Sequence, residues 1–219
     1  MKPILFNTDM VRAILEGRKT VTRRVVKPQL VECPALKMCN DDIWRIEWWN
    51  VNEFHSTKVP YCIGDILYVR ETWCVQSARR FDADARIMFK AGGDMARIQF
   101  PGGGTQYHSR TKYDAFVRKW ADDRWHPSVH MPREAARIFL RVTDVRVERL
   151  QEITEEQSIL EGFEAYRSDS GYYEPATLGF VETWDSTIKK ADRALYGWDA
   201  NPWVWVIEFE RCERPAPSP

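Results

Sequence analysis

The apolar residues of this chain come in short runs, and none approaches the roughly 18 residues that cross a bilayer. What these runs specify is an alternation of brief strands and capped helices. Pro3-Ile4-Leu5-Phe6 reads as a strand. Its apolar stretch is too short for the core of a signal peptide, so the chain is expected to stay in the cytoplasm. Asn7 or Thr8 is placed to cap a helix, with Met10, Val11, Ile14 and Leu15 on one stripe and Gly17 as its stop. The β-branched stretch Arg18 to Val26 predicts a strand, with Thr20, Thr22 and Arg24 on one side and Val21, Arg23 and Val25 on the other. Strands are predicted at 66–70, running on toward Trp73, at 86–90, from 136 to 150 and from 203 to 209, and a short helix at 113–121. Thr154-Glu155-Glu156-Gln157 is a capping box, and its helix ends at Glu161-Gly162. A further helix is expected over 176–190, with Leu178, Val181, Trp184 and Ile188 on its buried face. The order fits a mixed α+β domain around a small barrel.

Length allows one domain with large loops or two very small ones. The reading is a single domain over 1–210, with long insertions near 28–58 and 78–125 and a disordered tail at 211–219. Pro28, Pro34 and Pro60 make the first insertion loop-rich, and Gly92-Gly93 and Gly102-Gly103-Gly104 match no phosphate-binding pattern. The five cysteines are odd in number and irregular in spacing, which argues against a disulfide framework. Cys33, Cys39, His55 and Cys62 supply four possible zinc ligands without a CxxC pair; free thiols are the alternative, and no metal or cofactor is expected.

Net charge is zero, but its distribution is uneven. Residues 1–30 carry seven basic side chains against two acidic, and residues 150–190 carry nine acidic against three basic. The basic segment either attracts phosphate or is neutralised by packing on the acidic one. Ten tryptophans are also unusual. Trp203 and Trp205 suit a core, and others suit base stacking.

The segment Gly17-Arg18-Lys19-Thr20-Val21-Thr22-Arg23-Arg24 resembles the signature of ASCH domains, in which Gly-x-Lys precedes a short polar strand ending in Arg. Gly64 to Trp73, His130-Met131-Pro132-Arg133, the Thr154 to Gly162 helix and Asn201 to Phe209 are similar, in order, to blocks of the larger phage-type members. The resemblance implies a PUA-like mixed β-barrel with flanking helices, and a cleft for RNA or a modified nucleoside. Some small members remove the acetyl group from N4-acetylcytidine, using a Lys, a Thr three residues later, and a Glu at the end of a helix. Carried over, these are Lys19, Thr22 and Glu161.

Amide hydrolysis needs an activated nucleophile and a proton for the leaving amine. Thr22 is the expected nucleophile. Lys19 is the base, depressed by neighbouring Arg18, Arg23 and Arg24. Glu161, at the negative end of a helix dipole that favours its protonated form, is the acid. Arg24, Arg23, Arg70, Glu71, Trp73 and Arg133 are expected to bind substrate, Trp73 by offering a ring face. The reading is a metal-independent amidohydrolase of an N4-acylated cytidine or similar nucleoside. A non-catalytic RNA-binding module and a ribonuclease are the alternatives. Each residue also has an ordinary role open to it: Lys19 as an exposed turn residue, Thr22 as a strand former, Glu161 as an ion-pair partner that holds helix to barrel.

Overall fold

The computed structural model describes residues 1–30, 36–39, 43–50, 53–102, 111–167, 169 and 171–216. In chain order the elements are β1 (Lys2–Leu5), α1 (Thr8–Leu15), β2 (Val21–Val25), β3 (Leu36–Cys39), β4 (Ile43–Asn50), β5 (Glu53–Lys58), β6 (Ile66–Arg70), β7 (Trp73–Arg79), β8 (Asp84–Phe89) and β9 (Ala96–Gln99). Then follow α2 (Thr111–Trp120), β10 (Phe139–Arg149), α3 (Glu155–Leu160), β11 (Tyr166–Arg167), β12 (Tyr173–Glu174), α4 (Ala176–Thr187), α5 (Arg193–Tyr196) and β13 (Trp203–Cys212). The architecture is mixed α+β with several sheets. No helix among the described residues is long and apolar enough to cross a membrane.

The chain divides into two compact units, each assembled from separated stretches. Unit 1 comprises Met1–Leu15, Ile66–Leu140 and Arg211–Pro219. Here β1 and β6 pair in parallel, from Lys2 opposite Leu67 to Leu5 opposite Arg70. α1 follows β1 directly: Asn7 Oδ1 accepts the Met10 amide at 2.8 Å, and Val11 and Ile14 are buried. β7, β8 and β9 form an antiparallel sheet with an irregularity between Val75 and Ser77. Its core gathers Trp73, Ile87, Phe89, Met131 and Phe139. β7 begins afresh at Trp73 rather than continuing β6. The described part of the tail, 211–216, differs from the disorder expected there: β13 runs to Cys212, and Arg214 Nη2 donates to the carbonyls of Glu134 and Ala136 at 3.0 Å each.

Unit 2 comprises Glu16–Asp65 and Arg141–Glu210. β2 pairs antiparallel with β13, Val21 opposite Glu208 through Val25 opposite Val204. On the face of Val21, Val204 and Val206 lie Leu150, Ile153, Phe180 and Trp184, which close an apolar cluster beneath α3 and α4. Burying side chains of this size stabilises by about 1.5–3 kcal/mol each. The buried face of α4 is Ala176, Phe180 and Trp184: Trp184 lies on the expected stripe, while Leu178 of that stripe is exposed. Glu155 ties the two helices: its carboxylate accepts the Ala176 and Thr177 amides at 2.7 and 3.1 Å, filling donors that α4 leaves open at its start. The segment expected to be loop-rich holds instead the antiparallel sheet β3-β4-β5.

In unit 1 the Asp84 carboxylate is buried between Arg79 and Arg97. Their hydrogen bonds, Arg79's above all, hold it below the ordinary carboxylate range. A depressed folded-state value means stability that is present above the unfolded-state value and lost as pH falls through the folded one. Asp84→Asn is therefore expected to destabilise by about 1–3 kcal/mol at neutral pH, with the difference shrinking at an acid pH where the folded-state carboxylate is protonated. Urea denaturation of both proteins at the two pH values measures this.

Candidate active site

The end of α3 is where distant parts of the sequence meet within unit 2. Thr154 caps the helix, accepting the Gln157 amide at 3.2 Å, while Gln157 Oε1 accepts the Thr154 amide at 3.2 Å. The helix stops at Glu161, and Gly162 takes φ +97°, a conformation that favours glycine. This leaves three carbonyls at the C-terminus in need of donors. The turn after Gly17 supplies them. The Thr20 amide donates to Leu160 O at 2.9 Å, Lys19 Nζ to Glu161 O at 2.8 Å, and Arg18 Nη1 to Gly162 O at 2.9 Å. Two cations at the negative end of a helix add a favourable dipole interaction.

Lys19 then reaches the Glu161 side chain. Its Nζ lies 2.6 Å from Oε2, and a third hydrogen bond runs to Val21 O at 2.7 Å. Both side chains are almost wholly buried, at 1% and 5% exposure. The other carboxylate oxygen, Oε1, accepts from Arg23 Nη1 at 3.3 Å. Arg23 is itself buried and braced by Gln157 Oε1 at 2.6 Å and Glu148 Oε2 at 3.2 Å. Burial, above all, lowers the Lys19 pKa; Glu161 opposes this, while Arg24 and Arg23 add to it. An amine so placed gives up its proton more readily than an exposed lysine does.

Among the expected residues, Lys19 and Glu161 are thus brought together, with Arg23. Thr22 is buried on β2, but alternation puts it on the face opposite Arg23, and its register partner is Ile207. The three acceptors that Lys19 holds do not include the Thr22 hydroxyl. Arg24 shares Thr22's face and is exposed. Lys19 is a buried ion-pair partner, not the exposed turn residue that its position after a helix also allowed.

The remaining candidates belong to unit 1. Trp73 is a correction: it is fully buried, with ring centroids of Phe116, Trp120 and His126 at 6.2, 5.5 and 5.0 Å, and no face is left for a base. Glu71 is sealed in a two-pronged pair with Arg137, at 2.9 and 2.8 Å. Arg70 Nη1 donates to Val129 O at 3.2 Å, and Arg133 is exposed on a 3-10 turn. Among the described residues no cluster of His, Cys, Asp or Glu is suited to a metal. Cys62, Cys74 and Cys212 are free thiols. Cys33 and the side chains of Cys39 and His55 lie outside the described residues.

Sequence reasoning missed Arg18 as a cap for α3, and Glu148 and Gln157 as braces for Arg23. The only signal was the opposite charge of residues 1–30 and 150–190, which Lys19, Arg18 and Glu161 partly neutralise in place.

Removing one member of a buried ion pair leaves a charge without its counter-ion, at a cost of about 3–5 kcal/mol. The two ends are unequal here. Lys19→Met leaves Glu161 with Arg23, whereas Glu161→Ala removes the carboxylate that Lys19 and Arg23 share. Glu161→Ala is expected to be the more destabilising, measured by urea denaturation of each variant.

No family model matches the chain, and no curated protein or solved structure matches it.

Proposed function

We propose that this chain is an ASCH-type protein with a PUA-like barrel, and that it hydrolyses the exocyclic amide of an N4-acylated cytidine or a similar modified nucleoside without a metal. The observation that carries the reading is the 2.6 Å contact between Lys19 Nζ and Glu161 Oε2, two buried groups from positions 142 residues apart. Those are the residue types and positions that the resemblance assigns to base and acid.

Burial lowers the Lys19 pKa, and the 2.6 Å contact gives its proton a path to Glu161, leaving a neutral form of amine beside carboxylic acid. The neutral form supplies a base and an acid at once. The Thr22 hydroxyl attacks the acyl carbon and gives its proton to the Lys19 amine. The C–N bond breaks and the leaving N4 takes the proton of Glu161. Water then hydrolyses the acyl-threonine, releasing the carboxylic acid. The reaction requires that Lys19 exchange its contact with Val21 O for the Thr22 hydroxyl, and that the buried Thr22 and Glu161 open to substrate and water. Such contacts commonly tighten only when substrate is bound. Arg24, exposed on Thr22's face, is the anchor for the acyl oxygen or the sugar.

RNA binding through the basic strand is less favoured, because Lys19 and Arg23 carry carboxylate partners and have little field left for phosphate.

The test is turnover of N4-acetylcytidine, followed by absorbance. Thr22→Val preserves shape and is expected to keep the wild-type thermal midpoint while losing activity on the order of 10²-fold or more. Turnover by Thr22→Val at the wild-type rate overturns the reading. Salt-dependent RNA affinity from a wild-type protein that never hydrolyses the amide favours the binding module instead.

A further inference from the structure

Arg23 has no counterpart among the catalytic positions implied by the resemblance, yet it is the most completely buried charge of the cluster. The Glu161 carboxylate is divided between two cations, Oε2 to Lys19 at 2.6 Å and Oε1 to Arg23 at 3.3 Å. Arg23 leads on to Glu148, whose other oxygen accepts from Arg146 Nε at 2.5 Å. Arg146 meets Asp144 at 2.9 Å and also Glu208. The charges alternate along this line while exposure rises, from 1% at Lys19 and 0% at Arg23 to 19% at Glu148 and 31% at Arg146.

We infer that Arg23 is a positioning residue for the proposed reaction: it holds one oxygen of Glu161 so that the other faces Lys19, and its permanent charge draws carboxylate density away from Lys19 and favours the neutral amine. The inference rests on the hydrolase reading for its purpose, but not for its physics. An arginine does not give up its proton in a protein, so of the two cations sharing Glu161 only Lys19 can become neutral. Among the described residues, charged groups that act on Lys19 include Glu161 from the end of α3, Arg23 and Arg24 from β2, and, through Arg23, Glu148 from β10. Arg23 and Arg24 push Lys19 toward the neutral form and Glu161 opposes them. Arg23 is the one of these that also fixes the geometry of the acid. Its Nε is buried without a hydrogen-bond partner, a cost consistent with a guanidinium held for its three Nη contacts.

The experiment titrates the Lys19 side chain by carbon-13 NMR in the full chain, for wild type, Arg23→Gln and Glu148→Gln. Arg23→Gln is expected to move the Lys19 titration up by about one pH unit. Glu148→Gln removes Arg23's second carboxylate and is expected to move it down. The partly exposed site of that substitution keeps the protein folded if Arg23→Gln does not. Where acetylcytidine is turned over, kcat/KM rises with pH as Lys19 loses its proton. That limb is expected to follow the same shifts, so Arg23→Gln loses about tenfold at a pH below it. A Lys19 titration unmoved in folded Arg23→Gln, or unmoved in Glu148→Gln, overturns the inference. Shifted titrations in a protein that hydrolyses no amide uphold Arg23's control of Lys19 and remove the hydrolase reading alone.

Discussion

An ammonium and a carboxylate held 2.6 Å apart, almost out of reach of water, set the terms for the rest of unit 2. Taking both charges out of solvent costs several kcal/mol per ion, and attraction between them repays it only when every remaining hydrogen and lone pair finds a partner. The surroundings meet that condition closely. Lys19 has three hydrogens and three acceptors, and each oxygen of Glu161 has a cation. β2, α3 and β10 are fixed relative to one another by this requirement as much as by the apolar cluster of Val21, Leu150, Phe180 and Trp184 beside it.

The same cluster explains how a helix of only six residues persists. A short helix has nearly as many unsatisfied backbone groups as satisfied ones and is not stable alone. At its start Thr154 and Gln157 close a reciprocal cap. At its end Arg18, Lys19 and Thr20 accept the role of the missing next turn. Structural closure and chemical poise are thus one arrangement: the lysine that caps the helix is the lysine whose burial lowers its proton affinity.

Much of the local structure was legible. Asn7 and Gly17 bracket α1, Thr154 and Gly162 bracket α3, and the strands at 66–70 and 203 onward follow from unbroken β-branched and aromatic runs. What was not legible has physical causes. α4 carries apolar residues on two overlapping stripes that share Trp184, so periodicity alone could not choose Phe180 over Leu178. β3, β4 and β5 mix charged, polar and apolar residues and sit between prolines, a composition that reads as loop. Trp73 was offered to a ligand because an aromatic beside charged residues suits stacking, but the rings that enclose it come from α2, far along the chain. For the site, Lys19 and Glu161 came from resemblance. Arg23 was seen as basic and assigned to substrate, because burial of an arginine depends on carboxylates that sequence cannot place beside it.

The most direct measurement is a double-mutant cycle between Lys19 and Glu161, using Lys19→Met, Glu161→Gln and the double variant in urea denaturation. A mutually satisfied buried pair predicts a coupling of about 2 kcal/mol or more, with the double variant more stable than the sum of the single losses implies. Additive losses, with a coupling near zero, would contradict the account, because the two side chains would then not depend on each other in the folded protein.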